Sequence, residues 1–253
     1  TTGIGNVAIG DVSLVSNTSG SSNVAIGNGA AYENTIASSN TVIGTDALRN
    51  NTTASQNVAI GRLALSAQDF TNGNVPYSSY NVAVGSFALE ANNPTSNSDG
   101  RFNVGIGTSS FRSNIIGTDN SGLGTNSGYF ALGGYNTYIG SYSGYGVTGT
   151  STAAANSALG SRSLFSVTSG SDNVAIGNTA MYSNTIGANN VAIGAGAAYA
   201  NTTSSFNVAV GVSALRLQSF NNSGAQYNTF NVAVGTYALE ANNPTSHENG
   251  SLN

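Results

Sequence analysis

The chain contains no cysteine, no tryptophan and no lysine, with one histidine and three prolines among 253 residues. Each shortage removes a class of chemistry. Without cysteine there are no disulfides, no thiolate metal sites and no thiol nucleophile. The lone histidine, His247, forms no cluster for zinc and leaves a Ser-His-Asp arrangement without support. It reads as a solvated loop residue, because Asn97 stands at its place in an earlier copy of the same stretch. Charged residues make up only 6% of the chain, and its six arginines are scattered. With a pI near 4.6 there is no basic patch to meet phosphates, which argues against a nucleic-acid partner. No apolar run approaches the roughly 18 residues of a membrane span, and no charged n-region with an apolar h-region opens the sequence. This segment is therefore not expected to insert into a membrane, and any export signal would lie outside it.

What fills the space is Asn, Ser, Thr and Gly, together with 39% hydrophobic residues held at fixed positions. The fixed positions speak against disorder. The unit Asn-x-x-[Ile/Val/Leu]-Gly begins thirteen times, at Asn6, Asn23, Asn40, Asn57, Asn81, Asn103, Asn120, Asn136, Asn156, Asn173, Asn190, Asn207 and Asn231. The commonest spacing is 17 residues, with insertions lengthening some units. Writing the asparagine as n, position n+7 is always Ala or Ser, n+8 is mostly large and apolar, and a second Asn recurs at n+11. A longer period overlies this one: residues 23–103 match 173–253 at 45 of 81 positions.

Seventeen residues are too few for a helix pair, and the helical spacing of apolar residues is missing. Val-Ala-Ile-Gly reads as a short strand ended by glycine, Ala-Leu as a second short strand, and the Asn-Thr and Ser/Gly stretches as corners. One such unit cannot close a core, but units stacked in register can. The expected fold is all-β: a parallel β-solenoid running through 1–253, one coil per repeat, rising about 4.8 Å per coil to a rod of roughly 60 Å. In a stack, identical residues lie above one another. The expected ladders are Asn23, Asn57 and Asn173 at the corners, Ile26, Ile60 and Ile176 in the interior, and Gly27, Gly61 and Gly177 at bends that a Cβ would obstruct. Strand alternation then points the Ala of the pentapeptide away from that interior. That Ala row, and the n+7 column of Ala47, Ala64, Ala88, Ala214 and Ala238, are the candidate contacts with a second chain. The expected partner is another copy, in a homo-oligomer or filament.

The repeated Asn-Val-Ala-Ile-Gly coil with its following small residue resembles the head repeats of YadA-like trimeric autotransporter adhesins. "NTTASQNVAIG" and "NTTSSFNVAVG" also resemble repeats of phage tail-fibre proteins. The resemblance implies three identical chains wound together and an extracellular, cell-surface or virion-associated setting.

Nothing in the repeat itself carries chemistry. Of ten acids, only Glu90 and Glu240 recur between the long copies, several coils apart, so a polysaccharide-cleaving pair has no support and no enzyme is expected. No cofactor or metal is implied. The glycines of "IGTDNSGLGTNSG" (116–128) lack the lysine and helix of a phosphate loop and read as corners. Two insertions, 68–80 and 218–230, are the better candidates. They carry Phe70, Tyr77, Tyr80 and Phe220, Tyr227, Phe230 at matched positions. Such aromatics either bind surface glycans, with sugar C–H faces on the rings, or clamp the loop to the coil. The reading that follows is a structural module of an extracellular fibre. Glycan binding through the loops is the alternative, and ice binding through Asn-Thr-Thr corners stands behind it.

Overall fold

The computed structural model describes residues 2–147, 151–218 and 224–242. It divides into two compact units, Thr1–Leu132 and Gly133–Asn253. In the first unit, seven three-residue strands stack in parallel: Val7–Ile9, Val24–Ile26, Thr41–Ile43, Val58–Ile60, Val82–Val84, Val104–Ile106 and Ser121–Leu123. In the second, six do the same: Thr137–Ile139, Ser157–Leu159, Val174–Ile176, Val191–Ile193, Val208–Val210 and Val232–Val234. Register follows the repeat, so that Val7 faces Val24, Ala8 faces Ala25 and Ile9 faces Ile26. Helix among the described residues is confined to one short 3-10 turn, Asn72–Asn74. Each unit is therefore the expected all-β parallel solenoid.

The asparagines build the spine. The backbone N–H of Asn23 donates to Oδ1 of Asn6 at 2.9 Å, that of Asn40 to Asn23 at 3.0 Å, and that of Asn57 to Asn40 at 2.9 Å. The second unit repeats the pattern from Asn156 through Asn173, Asn190, Asn207 and Asn231. In most coils Nδ2 also ties its own coil shut, as Asn23 does on the carbonyl of Ala37 at 2.9 Å and Asn173 on Gly187 at 2.9 Å. These side chains are buried, and a buried amide left without partners would be strongly destabilising. The ladder satisfies it instead.

The inward asparagine fixes the parity of the strand, and it reverses the expectation for the pentapeptide. With n buried, alternation sends n+1 and n+3 outward and n+2 inward. Ala25, Ala59, Ala83, Ala175, Ala192 and Ala209 are fully buried, whereas Ile43 and Ile193 are each 38% exposed and Ile106 and Ile176 37%. Ile26 and Ile60 stand in the same outward column, half-buried. The isoleucine ladder exists, but on the outside of the coil.

The opposite wall is a second departure. Ala-Leu forms no strand. Position n+8 takes a left-handed backbone in every coil, with φ of 49° at Leu48, 53° at Leu65 and 50° at Leu89, and n+6 is left-handed as well. Left-handed backbone costs a leucine about 1–2 kcal/mol, and two gains offset it. The wall keeps its coil-to-coil hydrogen bonds, as from Leu48 N–H to Ala64 O at 2.8 Å and from Leu65 N–H to Ala88 O at 3.1 Å. It also breaks strand alternation, so that consecutive side chains can both turn inward. Ala47 and Leu48 are both fully buried, as are Ala64 and Leu65.

The core is thus a thin sandwich, small residues of the strand wall against leucines of the turn wall. Where a larger side chain enters, a glycine makes room. A Cβ on Gly122 or Gly128 would sit 2.6 or 2.2 Å from the ring of Phe111, so these two are packing gaps rather than the corners expected from 116–128. At Tyr138, a fully buried tyrosine at the usual alanine position, Gly144 replaces the usual leucine. A Cβ there would meet the Tyr138 ring at 2.5 Å. The true corner is the pentapeptide glycine: Gly27 has φ +133° and would carry a Cβ 2.7 Å from the carbonyl oxygen of Gly44.

Candidate functional site

Three surfaces carry side chains that could meet a partner: the insertion at 68–80 with its counterpart at 218–230, the turn wall, and the strand wall.

The insertion is wired into the asparagine spine. Tyr77–Ser78 pairs in parallel with Ala54–Ser55, and Thr53 Oγ1 donates to the Phe70 carbonyl at 2.9 Å. The buried amide of Gln68 donates to Ser79 Oγ at 3.0 Å, and Ser79 Oγ donates to Asn57 Oδ1 at 2.7 Å. The second unit repeats this relay: Gln218 to Thr229 at 3.0 Å, then Thr229 to Asn207 at 2.6 Å. Phe70 is half-buried and meets Tyr77 edge-on, centroids 5.7 Å apart. Tyr77 and Tyr227 are buried, and burial raises both phenol pKa values above the ordinary one. Tyr80 and Phe230, each just before an asparagine, are exposed. They stack on the neighbouring coil's ring, Tyr80 on Phe102 and Phe230 on Phe206, both at 5.3 Å. Phe220 lies outside the described residues. The insertion is thus bonded to the coil at Tyr77 and its equivalent, while the rings at 80 and 230 stay exposed.

Most charged groups stand on the turn wall. Arg112 pairs with Glu90 and stacks 4.7 Å over Phe87, whose ring Arg62 also approaches at 5.0 Å. Arg216 lies 3.8 Å from Glu240. The two acids that recur between the long copies therefore each face an arginine on an adjacent coil, a pairing that a 22- or 24-residue separation hides in the sequence. Two corner threonines of the first unit use their hydroxyls internally: Thr18 donates to Thr35 O and Thr35 to Thr52 O, each at 3.0 Å.

The expected chain–chain column is corrected. Ala47, Ala64, Ala88 and Ala214 are fully buried within their own chain, under the leucines of the turn wall, and Ala238, in the last described coil, is half-buried. The pentapeptide alanines are buried as well, except Ala8 in the first coil. What faces outward on the strand wall is the n+1 and n+3 pair of columns, Val/Thr/Ser and Ile/Val/Leu, with no charged residue in any of the thirteen copies. Among the described residues there is no pocket and no cluster of His, Asp or Glu placed to hold a metal ion. No described helix is long and apolar enough to cross a membrane. Comparison with protein-family models, with curated proteins and with solved structures finds no match.

Proposed function

We propose that this chain is a structural module of an extracellular fibre or filament, an adhesin head or shaft or a tail-fibre-like segment, in which identical chains associate side by side. One observation carries the reading: the strand wall presents an uncharged, apolar strip to the outside. In the first unit, seven coils at about 4.8 Å make that strip about 30 Å long. Contiguous apolar area beyond a few hundred Å² is uncommon on a monomer and marks an association surface. The partner best matched to it is a copy of the same chain, whose ridges repeat with the same axial spacing. The adhesin heads that the repeat resembles suggest a homotrimer. Rigidity comes from the ladder, since within each unit successive coils are bonded on both walls and along the spine. Charge-poor Asn, Ser and Thr surfaces stay hydrated across pH and salt, which suits a cell surface or a virion. The aromatic insertions act in this account as clamps. A glycan-binding role for them gains nothing from the burial of Tyr77 and Tyr227.

Replacing Ile43, Ile60 and Ile193 with arginine tests the association. Light scattering on the full chain should show the assembly mass falling to that of one chain, while the far-UV β signal stays. An unchanged mass with an intact fold would remove the strand wall as the contact.

A further inference from the structure

The fibre reading leaves one feature of the second unit unused. Position n+9 places Tyr145, Phe165, Tyr182 and Tyr199 on successive coils of the turn wall. Their rings stack with centroids 5.0, 4.9 and 5.1 Å apart and planes within 7° of parallel. Arg216 covers the last ring at 5.8 Å. In such a column the ring faces cover one another, so neither a sugar nor a planar ligand finds an open face. All four residues remain half-exposed.

We infer that Tyr182 and Tyr199 form an oxidative cross-linking site, where a one-electron oxidant joins adjacent coils through a dityrosine bond. Each phenol loses one electron to the oxidant and one proton to water. The two phenoxyl radicals couple through a new bond between their ortho carbons, and the hydrogens on those carbons move to the phenolic oxygens. The product is two hydrogens lighter than the pair of tyrosines.

The geometry favours this pair. Phe165, which has no hydroxyl, separates Tyr145 from Tyr182. The ladder bonds from Met181 N–H to Ala197 O at 2.9 Å and from Ser183 N–H to Tyr199 O at 3.0 Å hold the two backbones side by side. With centroids 5.1 Å apart, the two rings must turn from face-to-face to edge-to-edge and draw closer for their ortho carbons to bond, a local side-chain movement. The partner is permanently at hand, so coupling within the chain outpaces coupling between dissolved chains.

The sequence supplies a clean assay. Trypsin cuts after arginine, and because the chain lacks lysine, residues 163–216 leave as one peptide whose only tyrosines are Tyr182 and Tyr199. The folded full chain, dilute, is oxidised with a light-activated ruthenium polypyridyl complex and persulfate, then digested and weighed. The expected product is peptide 163–216 lighter by two hydrogens, with dityrosine fluorescence. Oxygen added at Met181 is separated by its mass. Tyr182→Phe and Tyr199→Phe should each abolish the product without disturbing the column, since phenylalanine already stands there at 165. Oxidation in denaturant should lower the yield about tenfold or more as the effective concentration is lost. A peptide with unchanged hydrogen count while dityrosine forms elsewhere would overturn the inference. So would an equal yield in denaturant, or links found only between chains.

Discussion

Asn57 offers the sharpest test of the spine. Its side chain is 1% exposed. Its Oδ1 accepts from Asn81 N–H at 3.1 Å and from Ser79 Oγ at 2.7 Å. Its Nδ2 donates to Asn40 Oδ1 at 3.2 Å and to Ala54 O at 3.3 Å. Asn57→Ala orphans two buried donors, each worth about 1–3 kcal/mol, so stability should fall by about 2–6 kcal/mol. Asn57→Asp keeps the volume and the accepting oxygen but turns its second oxygen toward two acceptors. Burial and those acceptors both favour the neutral acid, which raises the aspartate's folded-state pKa above its unfolded value of about 3.9. A raised pKa contributes stability that is present below the unfolded value and is lost as pH rises through the folded one. The aspartate variant should therefore lie nearest the parent in acid and fall away toward neutral pH. Guanidinium unfolding followed by circular dichroism, between about pH 3 and pH 8 across that titration, measures the gap. An alanine variant within about 0.5 kcal/mol of the parent, the range of an ordinary surface change, would refute the ladder argument. So would an aspartate gap that narrows as pH rises.

Other consequences follow from the core. Gly144→Leu drives a side chain into the Tyr138 ring and should destabilise by about 3 kcal/mol or more, whereas Tyr138→Ala with Gly144→Leu restores the usual alanine–leucine pair and should return most of that loss; additive melting shifts would contradict the volume exchange. Burial pushes the Tyr138 phenol far above its ordinary pKa of 10.0, against a smaller opposing influence of Asn156, and its O–H donates to Asn136 Oδ1 at 3.1 Å. Its contribution is full below the unfolded value and drains away as pH climbs above it, so ultraviolet titration should show one tyrosine silent until the fold opens, and Tyr138→Phe should remove that late step. Deleting 71–76 should lower the melting temperature while leaving β-structure, because Phe70 and the relay through Gln68 and Ser79 lose their cover; an unmoved melting temperature would show the loop to be independent of the coil.

Period, parallel stacking, the corner glycines and the asparagine ladder were all legible in the sequence, because each is written at a fixed offset and stacking makes like meet like. Parity was not. Val-Ala-Ile reads equally well with either face inward, and the decision rests with Asn23 and its equivalents, whose amides must turn inward to bond both the next coil and their own. The turn wall was hidden for a different reason. Ala-Leu looks like a strand, and only the left-handed backbone at Leu48 and Leu65 lets two neighbours share one interior. The glycines at 122, 128 and 144 were legible as glycines but not as gaps, since the rings they accommodate, Phe111 and Tyr138, stand elsewhere in the chain. At the insertions, matched aromatics marked the place, while the buried glutamines that anchor it, Gln68 and Gln218, carried no signal beyond their recurrence.

The absence of cysteine allows the orientation of the pentapeptide to be read directly, since any introduced thiol is the only one in the chain. Ala59→Cys and Ile60→Cys place that thiol on adjacent residues of one strand, the first expected inside and the second outside. Labelling with a maleimide, compared under dilute conditions and at concentrations where the proposed association would occur, is the most direct measurement. The predicted result is that Cys at 59 reacts only at the rate of unfolding in both conditions, whereas Cys at 60 reacts rapidly when dilute and is shielded on assembly. Rapid labelling at 59 with protection at 60 in the dilute chain would contradict the account.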